Sequence, residues 1–442
     1  MIERNQNWKK AFGIIYSGQA FSIIGSSAVQ FSILWWLTVK TGSALTLTVA
    51  AIIGFLPQAV IGPFAGVIAD RYSRKWIMIL ADGFVAISSA ALAIAFLIGT
   101  PSIGFVYIIL FLRALGSTFH APALQAAIPS LVPEEMLVKA GGWAQLISSG
   151  GSMAGPVLGA GLTAIFPMQS IMLVDIIGAT LAIFALSFVQ IPKMQGLPEN
   201  IHMLQDIKQG IRVLASDKLL IRISIPVLLS YLIFMPLITL LPLLVFDHFL
   251  GTAWHNGIAQ FLFAGGMLAT SALIGVFGGL KKQFFMLAVS LTALGACITI
   301  CGLLPPPLFW AFAAFAFLSG CAGTCFYIPY MAYVQRTVPS EQLGKVMSLM
   351  ISAMSFSTPV GLVVAGPVTE LIGTNVWFAL SGLMLVAISI CCYVIIGKFE
   401  RKTGIIAGTD IPIETASLEL QQEEKGGEMV SKQLAQRSEA KK

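Results

Sequence analysis

Three ionisable side chains, Asp82, Arg113 and Asp175, stand deep inside long apolar stretches of the chain. A charge in such surroundings is costly unless a carboxylate, a carbonyl or a water-filled space lies beside it, so each of the three marks a site by default. A carboxyl group placed there can gain and lose a proton as its surroundings change, because burial disfavours its charged form and a nearby arginine favours it. At 1.5 Å per residue, Asp82 stands about 9 Å from one end of its stretch and Asp175 about as far from the opposite end of its own. Arg113 lies about 12 to 15 Å from that same opposite end, so depth alone pairs it with Asp175. For both acids a structural tie between helices and a proton-exchanging role stay open. His120, two turns beyond Arg113, reads more simply as a packed imidazole than as a proton relay.

Three further groups carry spacing information. The segment "GVIADRYSRKWIM" sets Gly66, Asp70, Arg71, Arg74 and Lys75 in a short connection, where a glycine allows close backbone approach and the charges can bind a facing helix end and one another. Its counterpart "GVFGGLKKQF" keeps Gly279 and Lys281 without the acid, so any latch made there is asymmetric. In "GGSMAGPVLGAG", Gly151, Gly155 and Gly159 recur every four residues and form one flat helix face, while Pro156 removes a backbone hydrogen bond and permits bending. Gln19, Ser26 and Gln30 fall within about 20° of one another at 100° per residue and form a polar stripe expected to line a central cavity. Tyr231 and Phe234 are aromatic candidates for the opposite wall, with plain packing as the alternative.

These residues are carried by unusual elements. Of the 442 residues, 57% are hydrophobic and 10% charged, against about 25% charged in soluble domains, which excludes both a soluble globular protein and a disordered one. Apolar runs lie at 11–38, 44–69, 76–98, 103–127, 140–164 and 168–190, and again at 222–246, 254–277, 284–304, 308–333, 346–371 and 376–397. Runs of that length satisfy their backbone groups in lipid as helices, which gives twelve transmembrane helices in an all-α membrane protein. The first run follows Lys9 and Lys10 but is too long for a cleaved signal and reads as a retained span.

With the N-terminus inside, the cytoplasmic connections collect nearly all the lysines and arginines, and the opposite ones hold only Lys40. The positive-inside rule therefore predicts a multi-pass protein with both termini cytoplasmic, and it accounts for the net charge of +6 without a nucleic-acid partner. The six cysteines, all in apolar runs of the second half, read as packing residues rather than as metal ligands. No phosphate-binding loop or nucleophile elbow is present, so neither an ATP-driven motor nor an enzyme is expected, and no cofactor or metal.

An internal repeat divides the chain. "VPEEMLVKA" at 132–140 returns as "VPSEQLGKV" at 338–346, each after a span that holds a glycine and then a proline, Gly116 with Pro122 and Gly323 with Pro329. Two pseudo-symmetric six-helix halves at 1–190 and 222–397 follow, joined by a cytoplasmic linker at 191–221 whose stretch "MLQDIKQGIRVLA" has the spacing of an interfacial amphipathic helix. The tail at 398–442 is polar, cytoplasmic and expected to be disordered. Parallel repeats of this kind describe transporters whose substrate site lies between the halves.

The loop from Gly66 to Lys75 resembles the signature G-x-x-x-D-R-x-x-R-K of the major facilitator superfamily. The order G-x-x-x-G-P-x-x-G-A at Gly151 to Ala160 is similar to the motif of its drug and proton antiporters. Arg113 matches the fourth-helix arginine of proton-coupled members. Longer stretches such as "GFLPQAVIGPFAGVIADR" and "FHAPALQAAIPSLVPEE" resemble the bacterial macrolide-efflux proteins of drug:proton antiporter group 3, from about Trp8 to Gly397. The tail departs from that pattern.

The resemblance implies a monomeric, proton-coupled exporter in the bacterial inner membrane, handling an amphipathic, cationic small molecule such as a macrolide. It makes Asp70 a latch on the cytoplasmic side. A solute or nutrient carrier of the same fold is the alternative within transport, and a membrane signalling or scaffold protein the alternative outside it.

Overall fold

The computed structural model describes residues 8–133, 136–191, 211, 212, 214, 218–277, 283–338 and 340–403. The amphipathic-helix stretch of the linker, the tail beyond 403 and the side chains of Asp70 and Arg71 lie outside the described residues, apart from Ile211, Arg212 and Leu214.

Among the described residues the chain forms twelve long helices. The first six are α1 (Trp8–Thr41), α2 (Ala44–Arg71), α3 (Arg74–Ile98), α4 (Ile103–Leu131), α5 (Leu137–Ile165) and α6 (Met168–Ser187). The second six are α7 (Lys218–Leu243), which ends in a π turn at Leu244–His248, then α8 (Ala253–Phe277), α9 (Gln283–Leu303), α10 (Phe309–Thr337), α11 (Ser340–Ile372) and α12 (Thr374–Thr403). The helices alternate in direction, so the described ends of the chain, Trp8 and Thr403, lie at one end of the bundle. That end is here the termini face and the other the far face.

Connections at the far face are tight because their residues suit them. Gly42, between α1 and α2, and Gly373, between α11 and α12, both have positive φ, 56° and 89°, which favours glycine. Ser43 then caps α2 by accepting from the Thr46 backbone N–H, as Ser102 caps α4 by accepting from Phe105.

The packing repeats as the sequence does. In the first half α1 packs on α5 and α6, α3 on α4 and α6, and α2 on α4; in the second α7 packs on α11 and α12, α9 on α10 and α12, and α8 on α10. Every pair recurs six helices later, which is the spatial form of the duplication. Small residues bring backbones together where lipid supplies no hydrophobic drive, as at Gly295 of α9, where an added Cβ would stand 2.7 Å from the Gly382 carbonyl of α12.

Eleven of the twelve helices are long and apolar enough to cross a membrane by length and composition. The exception is α5, diluted by its serines and glycines, yet it is a helix of 29 residues set between α1 of its own half and α8 of the other. Large apolar side chains elsewhere face outward, among them Ile98, Leu80, Val276 and Leu371. A belt of that kind suits lipid rather than water.

Candidate functional site

Arg113 is buried in the middle of α4 and forms an ion pair with Asp175 of α6. It also donates to Ser89 Oγ of α3 and, at 3.3 Å, to the backbone carbonyl of Ser26 on α1. Both carboxylate oxygens of Asp175 have a further donor, Ser26 Oγ on Oδ1 and Ser89 Oγ on Oδ2 at 2.6 Å. Four helices thus converge on one neutralised pair. Its buried charges are stable there only because each is matched and hydrogen-bonded.

Asp82 forms a second centre, seven residues before Ser89 on α3 and therefore about 10 Å away along the helix axis, towards the termini face. Gln19 Nε2 donates to Oδ2 at 3.2 Å and Ser22 Oγ to Oδ1 at 3.3 Å. His120 Nε2 of α4 stands 3.5 Å from Oδ2, without hydrogen-bond geometry. This carboxylate has uncharged donors and an imidazole at hand, where Asp175 has a guanidinium.

The polar stripe of α1 is therefore used inside the first half. Gln19 turns to Asp82 and Ser26 to Asp175, while Gln30 is half-buried; none of the three lines the cavity between the halves. A polar stripe on an apolar helix can be satisfied by water or by a buried acid, and sequence spacing does not distinguish the two.

Arg74 and Lys75 of the signature loop hold helices of their own half. Arg74, itself buried, donates to the Ala126 carbonyl of α4 at 2.7 Å, and Lys75 Nζ caps α6 by donating to the carbonyls of Ser187 at 3.2 Å and Val189 at 2.9 Å. A Cβ at Gly66 would meet open space, so the close approach expected there is not made in this conformation.

The glycine face of α5 is occupied. A Cβ at Gly151 would stand 2.7 Å from Ile23, one at Gly155 would collide with Ser27, and one at Gly159 would lie 2.6 Å from the Ala28 carbonyl, so the partner is α1 of the same half. About 90° around the helix, at 100° per residue, Gln145, Ser148, Ser149, Ser152 and Pro156 form another face. That face lines a cavity of about 540 Å³ between α5 and the second half. Gln260 and Ser271 of α8, Ser319 of α10 and an apolar surface including Phe234, Phe263, Phe312 and Phe378 complete it. Of the two aromatic candidates, Phe234 lines the cavity, its ring 6.0 Å from Phe263, and Tyr231 is packed against the core instead. The serine face was legible in the spacing i, i+3, i+4, i+7 from Gln145, a signal the glycines beside it overshadowed.

The two halves meet at the far face. Ser43 Oγ and the Leu45 N–H, at the start of α2, both donate to Glu370 of α11 at 3.2 Å. Trp35 of α1 packs edge-on to Phe246 of the π turn, and a Cβ at Gly257 of α8 would come within 2.7 Å of Ala160 on α5. The cavity reaches from there towards Gln145 and Ser271, on the termini side of their helices. The two halves are thus closed on each other at the far face of the bundle.

The Major Facilitator Superfamily family model matches residues 15–280 and 251–409. Macrolide efflux protein A of Streptococcus pyogenes is 38% identical over 408 residues, which cover 91% of this chain and all of that one. Macrolide efflux protein A of Enterococcus faecalis is 36% identical over 326 residues, 73% of this chain and all of that protein. Among solved structures, the nucleoside transporter NupG superposes with a TM-score of 0.64 at 14% identity, covering 88% of this chain and 99% of that one. Twelve helices in two matched halves, a cavity between them and a family match over most of the length agree: the chain belongs to the major facilitator superfamily.

Proposed function

We propose that this protein is a secondary transporter that exports amphipathic drugs, macrolides among them, by alternating access driven by inward proton flow. The observation that carries the reading is its 38% identity to macrolide efflux protein A across the whole of that protein. The geometry supports it with a drug-sized cavity between two halves that touch at one face. The lysine and arginine bias makes the termini face cytoplasmic, so this conformation is open to the cytoplasm and the far face is the closed, outer side.

Coupling is assigned to the two carboxylate centres of the first half. Protonating Asp175 would strand the buried guanidinium of Arg113, so that pair exchanges a proton only when a rearrangement gives Arg113 another partner. Asp82, with Gln19, Ser22 and His120 around it, can accept a proton without unpairing an arginine. Asp70 is the latch of the cytoplasm-closed state. Uptake of a labelled macrolide into inside-out vesicles tests the reading: an acid-inside gradient should drive accumulation that an uncoupler abolishes, and uptake indifferent to the gradient would refute proton coupling.

A further inference from the structure

The cavity between α5 and the second half differs in chemistry from the acid centres beside it. One wall carries hydroxyls and an amide, from Gln145, Ser148, Ser149 and Ser152; the other is aromatic, with Phe234 and Phe263 in front. Among the described residues that line it none is acidic or basic, and its one ionisable side chain is the thiol of Cys301, buried on α9. The two buried carboxylates are engaged elsewhere, Asp175 by Arg113, Ser26 and Ser89 and Asp82 by Gln19 and Ser22, with His120 alongside. The cation expected from the family resemblance would find no counter-ion here.

Resting on the exporter reading above, we infer that this cavity takes its ligand uncharged: a polyhydroxylated amphipathic molecule whose amine has given up its proton. Its hydroxyl edge would lie on the serine face of α5, and its apolar face against the aromatic wall. An ionised amine drawn from water into a space without a carboxylate loses hydration that the aromatic faces and hydroxyl oxygens return only in part. Serine hydroxyls can both donate to and accept from a ligand hydroxyl, so they compensate a sugar-like edge more fully than a charge. The glycine face explains why the serines point there, because seating Gly151, Gly155 and Gly159 on α1 fixes the rotation of α5 and turns its polar face away towards the second half. Ligand binding is thereby kept apart from Arg113 and Asp175. The cargo enters and leaves without disturbing their pairing directly.

The test is binding to the purified full chain in lipid nanodiscs. The probes are a macrolide with one tertiary amine and its N-methyl quaternary derivative, which has nearly the same shape and a fixed charge. If only the neutral form binds, the apparent affinity of the tertiary amine rises about tenfold per pH unit below the amine's own pKa, in step with its neutral fraction. The quaternary derivative should bind at least about a hundredfold more weakly throughout. A pH dependence that arises in the protein, at Asp82 or His120, would move both probes alike and is separated by this comparison. Ser152→Asp, at an exposed cavity position, should bring the quaternary derivative to within about tenfold of the tertiary amine. Equal binding of the two probes by the unaltered protein overturns the inference and leaves the exporter reading standing. Binding of neither overturns both. A Ser152→Asp variant that still binds the tertiary amine but gains nothing for the quaternary one overturns the placement of the ligand in this cavity.

Discussion

At the scale of single residues, the two carboxylates of the first half have opposite dependences on their partners. Asp175→Asn leaves the Arg113 guanidinium buried and uncompensated, a loss of about 3 to 5 kcal/mol for a broken buried pair. Asp82→Asn keeps the size of the side chain and removes the partner of no arginine. Thermal unfolding in detergent should therefore show Asp175→Asn and Arg113→Ala well below the unaltered protein and Asp82→Asn close to it. The double variant Arg113→Ala/Asp175→Asn should recover a large part of the single-variant loss, because both charges leave together. Equal midpoints for the two Asn variants would contradict the ion-pair account. All four variants should lose proton-driven export while still binding drug. The pairing of Arg113 with Asp175 was legible because depth along a helix follows from residue number. The direction in which Gln19 and Ser26 point was not, since a stripe at helical spacing names a face without naming what faces it.

At the scale of elements, α5 carries most of the testable content. Its glycines have opposite environments: Gly155 abuts Ser27 of α1, while Gly161 has nothing within 4 Å of an added Cβ. Gly161→Ala should be neutral or stabilising by up to about 1 kcal/mol, as glycine is the poorer helix former. Gly155→Leu should push α5 off α1, turn the serine face and abolish drug export with only a modest fall in expression. Transport assays and unfolding curves on the two variants check this, and full export by Gly155→Leu would remove the packing role. The existence of the long elements was legible, since twelve apolar runs correspond to twelve helices among the described residues. What the runs could not convey is that α5, the least apolar of them, is diluted because one of its faces packs on α1 and another lines the cavity. Its glycine face packs on another helix, α1, and the identity of that helix was not legible, as small residues report close packing without naming the partner.

At the scale of the whole molecule, the proposed transport cycle makes the two halves one two-state element that ligands or charges bias. Glu370 holds α11 to the start of α2 in the conformation closed at the far face, and Asp70 is assigned to the conformation closed at the other. With a single cysteine at Ser152, Glu370→Gln should lower labelling from the termini side and Asp70→Asn should raise it. Shifts in the same direction would refute the two-latch scheme. The duplication was legible at 132–140 and 338–346, and the packing pairs repeat six helices apart as that duplication requires. Which face is closed was not legible, because both conformations use the same sequence. The most direct test of the central claim is the accumulation of a labelled macrolide in cells with and without the protein, before and after an uncoupler. Export by proton exchange predicts low accumulation in expressing cells that rises to the control level when the gradient collapses. Equal accumulation in both cell types under both conditions, across macrolides and other lipophilic drugs, would contradict it.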